Sequence, residues 1–133
     1  MAEAVVFDAS AILALVQQEA RGGEVLRALH DPGRTLWISA VNLCEVATKL
    51  VRMGHTATEV LIVLEPFERY VVNFGTDHAK QTAELSRWTR SLGLSLGDRA
   101  CLTLAASRGA TAWTTDAAWP KLKIGVKVHL LRG

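Results

Sequence analysis

Cysteine is scarce in this chain, with two in 133 residues, and neither Cys44 nor Cys101 lies in a CxxC or Cys/His spacing. That argues against a zinc site. Each cysteine falls in an apolar helical pattern, so both read as buried free thiols. Long apolar runs are missing too. A stretch such as Val60 to Leu64 is far too short to cross a bilayer, and Met1 to Phe7 has no basic segment ahead of an apolar core. The expectation is a cytoplasmic protein that does not enter a membrane. The four histidines, His30, His55, His78 and His129, share no spacing, which disfavours chemistry by paired imidazoles. No linker, repeat or low-complexity segment interrupts the chain, and its length fits one domain, residues 1–133, large enough to bury a three-layer core.

What is present is a folded-protein balance, half apolar and 21% charged. Charge is unevenly placed. From Thr76 onward there are nine Lys/Arg against four Asp/Glu, and before it six against nine, which together make the fifteen and thirteen of the chain. The basic half suits a polyanion, although scattered surface Lys and Arg are more often simply solvated.

The hydrophobic pattern alternates short strands with amphipathic helices. Ala4 to Phe7 reads as a buried strand ending at Asp8, followed by Ala11, Ile12, Leu15 and Val16 at helical spacing. A helix over Gly23 to His30 stops at Asp31-Pro32-Gly33, and Leu36 to Ile38 is the next strand. Ser39 caps a helix from Ala40 to about Arg52, and Thr56 with Glu59 forms a capping-box pattern ahead of another that breaks near Pro66. Tyr70 to Val72 reads as a third strand. Helices over Asp77 to Ser91 and Leu96 to Arg108 stop at Gly93 and Gly109, and Ala112 to Thr114 and Val126 to Leu131 complete five strands. This is an α/β chain with a parallel sheet covered on both faces.

Four acids stand where such a sheet converges. Asp8 follows the first strand, Asp116 follows the fourth, Asp98 lies in the first turn of its helix, and Glu45 lies one turn inside its own. The carboxyl ends of parallel strands share one edge, so these residues can meet in one crevice. Each Asp also has a simpler reading as a helix cap, and Glu45, among apolar neighbours, can pair with a basic residue instead. Taken together, carboxylates with no His or Cys among them suit a hard cation such as Mg²⁺ or Mn²⁺. Such an ion bridges phosphate oxygens and activates water, so the implied chemistry is phosphodiester hydrolysis.

Asp8-Ala9-Ser10-Ala11, Ser39 to Val46, Leu96 to Leu102 and Thr114-Thr115-Asp116 resemble, in order and spacing, the motifs of PIN-domain nucleases. The compact length is similar to that of the VapC-type toxins of toxin–antitoxin pairs. The resemblance spans essentially the whole chain. It implies a PIN-like three-layer sandwich, with a central five-stranded parallel sheet flanked by helices and an acidic pocket at the strand ends. It further implies a Mg²⁺-dependent endoribonuclease, with Mn²⁺ as the other candidate ion, in which Asp8, Glu45, Asp98 and Asp116 are the catalytic and metal-binding acids. Ser10 and Thr114 would support the pocket. The partners implied are an RNA substrate, a small VapB-like antitoxin and a second copy of the chain.

Other features are open. Arg99 is a candidate for holding an RNA phosphate or for lying on the outer face of its helix, and Trp119 for stacking on a base. Trp37 and Trp113 read as core. Asn42, one turn before Glu45, is either a neighbour of the pocket or an exposed polar residue. The helices near Glu24 to Leu29 and Thr56 to Phe67 either pack on the sheet or offer apolar surface to a partner. Two other functions compete. One is an aspartate-based phosphotransfer domain, for which Asp8-Ala9-Ser10 lacks a DxD arrangement; the other is a non-catalytic PIN-like binding module.

Overall fold

In the computed structural model, which describes residues 3–132, five strands and six helices alternate along the chain. They are β1 (Ala4–Phe7), α1 (Ala9–Val16), α2 (Gly22–Leu29), β2 (Thr35–Ser39), α3 (Ala40–Arg52), α4 (Ala57–Leu64), β3 (Val71–Val72), α5 (Thr76–Thr89), α6 (Leu96–Arg108), β4 (Thr111–Thr114) and β5 (Val128–Leu130). The strands pair in parallel in the order β3-β2-β1-β4-β5. Connections from β1 run outward to β2 and β3, then return across the sheet to β4. The strand order therefore reverses between β1 and β4, where an open parallel sheet forms its crevice.

Alternation along β1 builds both faces. Val5 and Phe7 point into a core with Ile12, Val25, Ile38, Val46 and Trp113, while Val6 points to the opposite face with Cys101, Leu102, Leu104 and Trp119. Side chains at i and i+2 of a strand share a face, so a fully apolar run of four residues marks a strand covered on both sides.

Several expected boundaries shift for local reasons. The third strand shrinks to Val71–Val72 because Tyr70 closes a 3-10 segment, Glu65–Tyr70, with Pro66 in its first turn. The long helix ends at Thr89 and tightens into a 3-10 turn, Arg90–Leu92, before the left-handed Gly93. The fifth strand is only Val128–Leu130, starting beyond Gly125, whose φ is +77°. Cys101 is buried as expected, but Cys44 is exposed, because α3 turns that side away from the sheet. Trp119, a candidate for stacking on a base, has no exposed surface and lies in the second core. Among the described residues, no helix is long and apolar enough to cross a membrane.

Candidate active site

Asp8 leaves β1 at the switch point and caps α1, its Oδ1 accepting from the Ala11 amide at 2.8 Å. Its side chain is 4% exposed. Ser10 Oγ donates to Oδ1 and Thr114 Oγ1 donates to Oδ2, both at 2.6 Å. The hydroxyls are themselves fixed by the turn after β4, since the Thr115 amide donates to Ser10 Oγ at 2.9 Å and the Asp116 amide to Thr114 Oγ1 at 3.1 Å. Ser10 and Thr114 thus tie the end of β1 to the end of β4. A carboxylate offers about four lone-pair sites; three hydrogen bonds leave room for one more partner.

Burial pushes the Asp8 carboxyl up to about 6, against the lowering effect of Ser10, Thr114 and Ala11, with the Asp98 charge adding to the rise. Glu45 is also raised, first by burial, with Asn42 opposing and Asp98 reinforcing. The Cys101 thiol is pushed well up by burial and then by the charges of Asp8, Asp98 and Glu45. The Asp98 charge thus bears on both Asp8 and Glu45, since a nearby like charge disfavours the ionised form of a carboxyl group. Asp116 is exposed.

Glu45 projects from the second turn of α3 toward the start of α6. Its carboxyl group rests against Gly97, where an added Cβ would overlap it, and Asn42 Nδ2 donates to its Oε1 at 2.9 Å. Among the described residues no ion pair engages Asp8, Glu45, Asp98 or Asp116, so Glu45 has no basic partner. Asp98 completes a capping box, the Ser95 amide donating to its Oδ2 at 2.9 Å and Ser95 Oγ accepting from the Asp98 amide. Asp116 Oδ1 accepts from the Ala118 amide at 2.9 Å. The cap reading of Asp98 is thus realised, whereas Asp116 closes a turn ahead of a short 3-10 segment, Trp119–Lys121, that has no side-chain cap.

Among the described residues, no three His, Cys, Asp or Glu side chains are placed to hold one ion as they stand. The chemistry of the cluster nonetheless suits a hard divalent cation. The donors are all oxygen, the charges are unneutralised, and Asn42 Oδ1 is a buried polar atom with no partner.

Two residues deserved more weight in the sequence. Asn42 is fully buried, not an exposed polar residue, and its spacing of three from Glu45 on one helix was the available signal. Gly97 was overlooked; a glycine inside the first turn of a helix, where it is a poor helix former, was the hint. Arg99 turns away from the pocket, Nη1 donating to the Thr82 carbonyl at 2.8 Å. It braces α5 against α6 instead of reaching for phosphate. Beside Glu45 opens a cleft of about 980 Å³, with Leu13, Val41 and Phe74 among its apolar lining and Lys49 and Arg52 among its charged residues.

A family model of the PIN domain matches residues 5–124. Among solved structures, the fold is similar to a DNA-bound VapBC complex from Salmonella typhimurium, at 21% identity and a TM-score of 0.68, covering 97% of this chain and 98% of that one. A toxin–antitoxin complex from Klebsiella pneumoniae matches at 21% identity and a TM-score of 0.70, over 94% and 95% of the two chains. A VapC toxin from Mycobacterium tuberculosis that cleaves the sarcin-ricin loop matches at 19% identity and 0.70, over 88% and 93%. No curated protein sequence matches the chain.

Proposed function

Because the chain belongs to the PIN-domain family, we propose that it is a metal-dependent endoribonuclease acting in the cytoplasm as the toxin of a toxin–antitoxin pair. The observation that carries this reading is geometric: Asp8 is buried at the switch point of a parallel sheet, the Glu45 carboxyl group rests on Gly97 next to Asp98, and among the described residues none of the three has a basic partner. Three acids without a basic partner are costly to bring together, and a divalent cation removes that cost. Mg²⁺ is the ion proposed, with Mn²⁺ as a substitute; when bound it neutralises phosphate charge and activates water for attack on phosphorus.

The chain's own residues do the rest. Asp8 is the fixed anchor, oriented by Ser10 and Thr114 through bonds at 2.6 Å. Glu45 and Asp98 close on it from α3 and α6. Asp116, exposed and capping the turn after β4, acts at one remove, through water. Lys49 and Arg52 on the cleft wall attract the RNA backbone, which positions substrate without reading its sequence.

Partners follow from the same cleft. The similar structures include complexes of toxin with antitoxin, and a small VapB-like antitoxin laid along the apolar wall would cover Glu45 and block RNA. Exposed Leu61 and Ile62 on α4 and Leu26 on α2 offer further apolar surface, for the antitoxin or for a second copy in a homodimer.

The test is incubation of purified, antitoxin-free protein with labelled single-stranded RNA and with DNA of the same sequence. The expected result is cleavage of RNA alone, lost on adding EDTA and restored by excess Mg²⁺ or Mn²⁺. Cleavage that survives full chelation would sink the metal mechanism.

A further inference from the structure

Asn42 has no exposed surface, and its Nδ2 donates twice, to Glu45 Oε1 and to the Gly97 carbonyl, each at 2.9 Å. Both partners are acceptors, which fixes the orientation of the amide, since the opposite flip would set oxygen against oxygen. Among the described residues, the Oδ1 left over has no partner. A buried unpaired acceptor weakens a fold, so this asparagine is poorly explained by stability alone. Gly97 has the same character. It lies buried in the first turn of α6, without the positive φ that would require glycine, where alanine would favour the helix. What it supplies is space: an added Cβ would overlap the Glu45 carboxyl group.

We propose that Asn42 and Gly97 are positioning residues, a clasp that holds the Glu45 carboxylate against the start of α6, beside Asp98, for a divalent cation. The inference rests on the reading of the acids as a cation site. Glutamate has three side-chain torsions, and Glu45 is only half-buried; without the clasp its carboxylate would spread over solvent-facing rotamers and meet the ion at an ordering cost. Asn42 removes that freedom by its hydrogen bond, and Gly97 leaves the space against α6 that the group occupies. Groups that orient a metal ligand in this way typically change affinity by about 10–100-fold when removed.

The test is the binding of MnCl2 to the purified protein, measured from the electron paramagnetic resonance of free Mn²⁺. It compares the wild type with Asn42→Ala, Gly97→Ala, Glu45→Gln and the double variant Asn42→Ala/Glu45→Gln. The expected result is binding weakened about tenfold or more by Asn42→Ala and by Gly97→Ala. In the Glu45→Gln background, Asn42→Ala should add nothing, because its effect passes through Glu45. Gly97→Ala should melt no lower than wild type while binding more weakly, a separation that a merely structural glycine would not give. Equal losses from Asn42→Ala in both backgrounds, or variants that bind like wild type, overturn the clasp. Should Asn42→Ala fail to fold, Asn42→Ser takes its place and Gly97→Ala carries the same decision. A wild type that binds no Mn²⁺ overturns the cation site itself, and the clasp with it.

Discussion

Burial and three hydrogen bonds pull the acidity of Asp8 in opposite directions, and burial prevails, leaving the carboxyl at about 6. An acid raised in the folded state binds more protons there than in the unfolded chain, so its contribution to stability is full below the ordinary value of 3.8 and falls as pH rises toward about 6. A shift of that size corresponds to about 3 kcal/mol. Asp8→Asn is therefore expected to match wild type in urea unfolding near pH 4 and to exceed it at pH 7.5 by up to about 3 kcal/mol, a gap that Mg²⁺ narrows by stabilising only the wild type. A gap that does not change with pH would contradict this account of Asp8. The four acids are also unequal. Glu45→Gln and Asp98→Asn should lower cleavage by at least about 100-fold, whereas Asp116→Asn, which keeps the cap to Ala118, should cost about tenfold or less. Rates under single-turnover conditions decide between this order and four equal losses.

At the scale of elements, α6 does two things. Its first turn presents Asp98 and seats Glu45 on Gly97, while its body packs Cys101, Leu102, Leu104 and Ala105 against β1, β4 and Trp119. Trp119→Ala should accordingly destabilise the fold by about 3–5 kcal/mol in urea unfolding. Near-wild-type stability with weakened RNA binding would instead put Trp119 at a binding surface. Helices with strong caps were legible in the sequence: Ser39 and Thr56 start α3 and α4 where a hydroxyl meets an apolar period, and Gly109 ends α6 in a left-handed turn. Edge strands were less so, because β3 and β5 pair on one side only, and their ends depend on neighbours absent from any local pattern. Asp8, Glu45 and Asp98 could be expected near one another because sheet topology brings strand ends and helix starts together. Asn42 stayed open between a pocket neighbour and an exposed polar residue, and Gly97 was overlooked, because their contact joins α3 to α6 across 55 residues of chain. Trp119 was misjudged for the same reason: nearness to Asp116 in sequence says nothing about which side of a turn faces inward.

Across the whole molecule, a formal charge of +2 with its excess after Thr76 gives only modest attraction to a polyanion. Binding of single-stranded RNA to the Asp8→Asn variant, followed by fluorescence anisotropy, should weaken as salt rises, with a slope of about 0.7 per phosphate contacted. Lys49→Ala should lessen that slope without changing sequence preference, and an unchanged slope would remove Lys49 from the RNA path. The fold places its crevice where the strand order turns from β1 to β4, and among the described residues Asp8, Glu45 and Asp98 have no basic partner. The central claim is that these acids share a cation and cut RNA. Its most direct measurement is digestion of a mixed cellular RNA pool by purified wild type in Mg²⁺, alongside Asp8→Asn and wild type in EDTA. Discrete fragments from the wild type alone are the predicted result. Equal digestion in all three, or none from folded, antitoxin-free wild type, would contradict it.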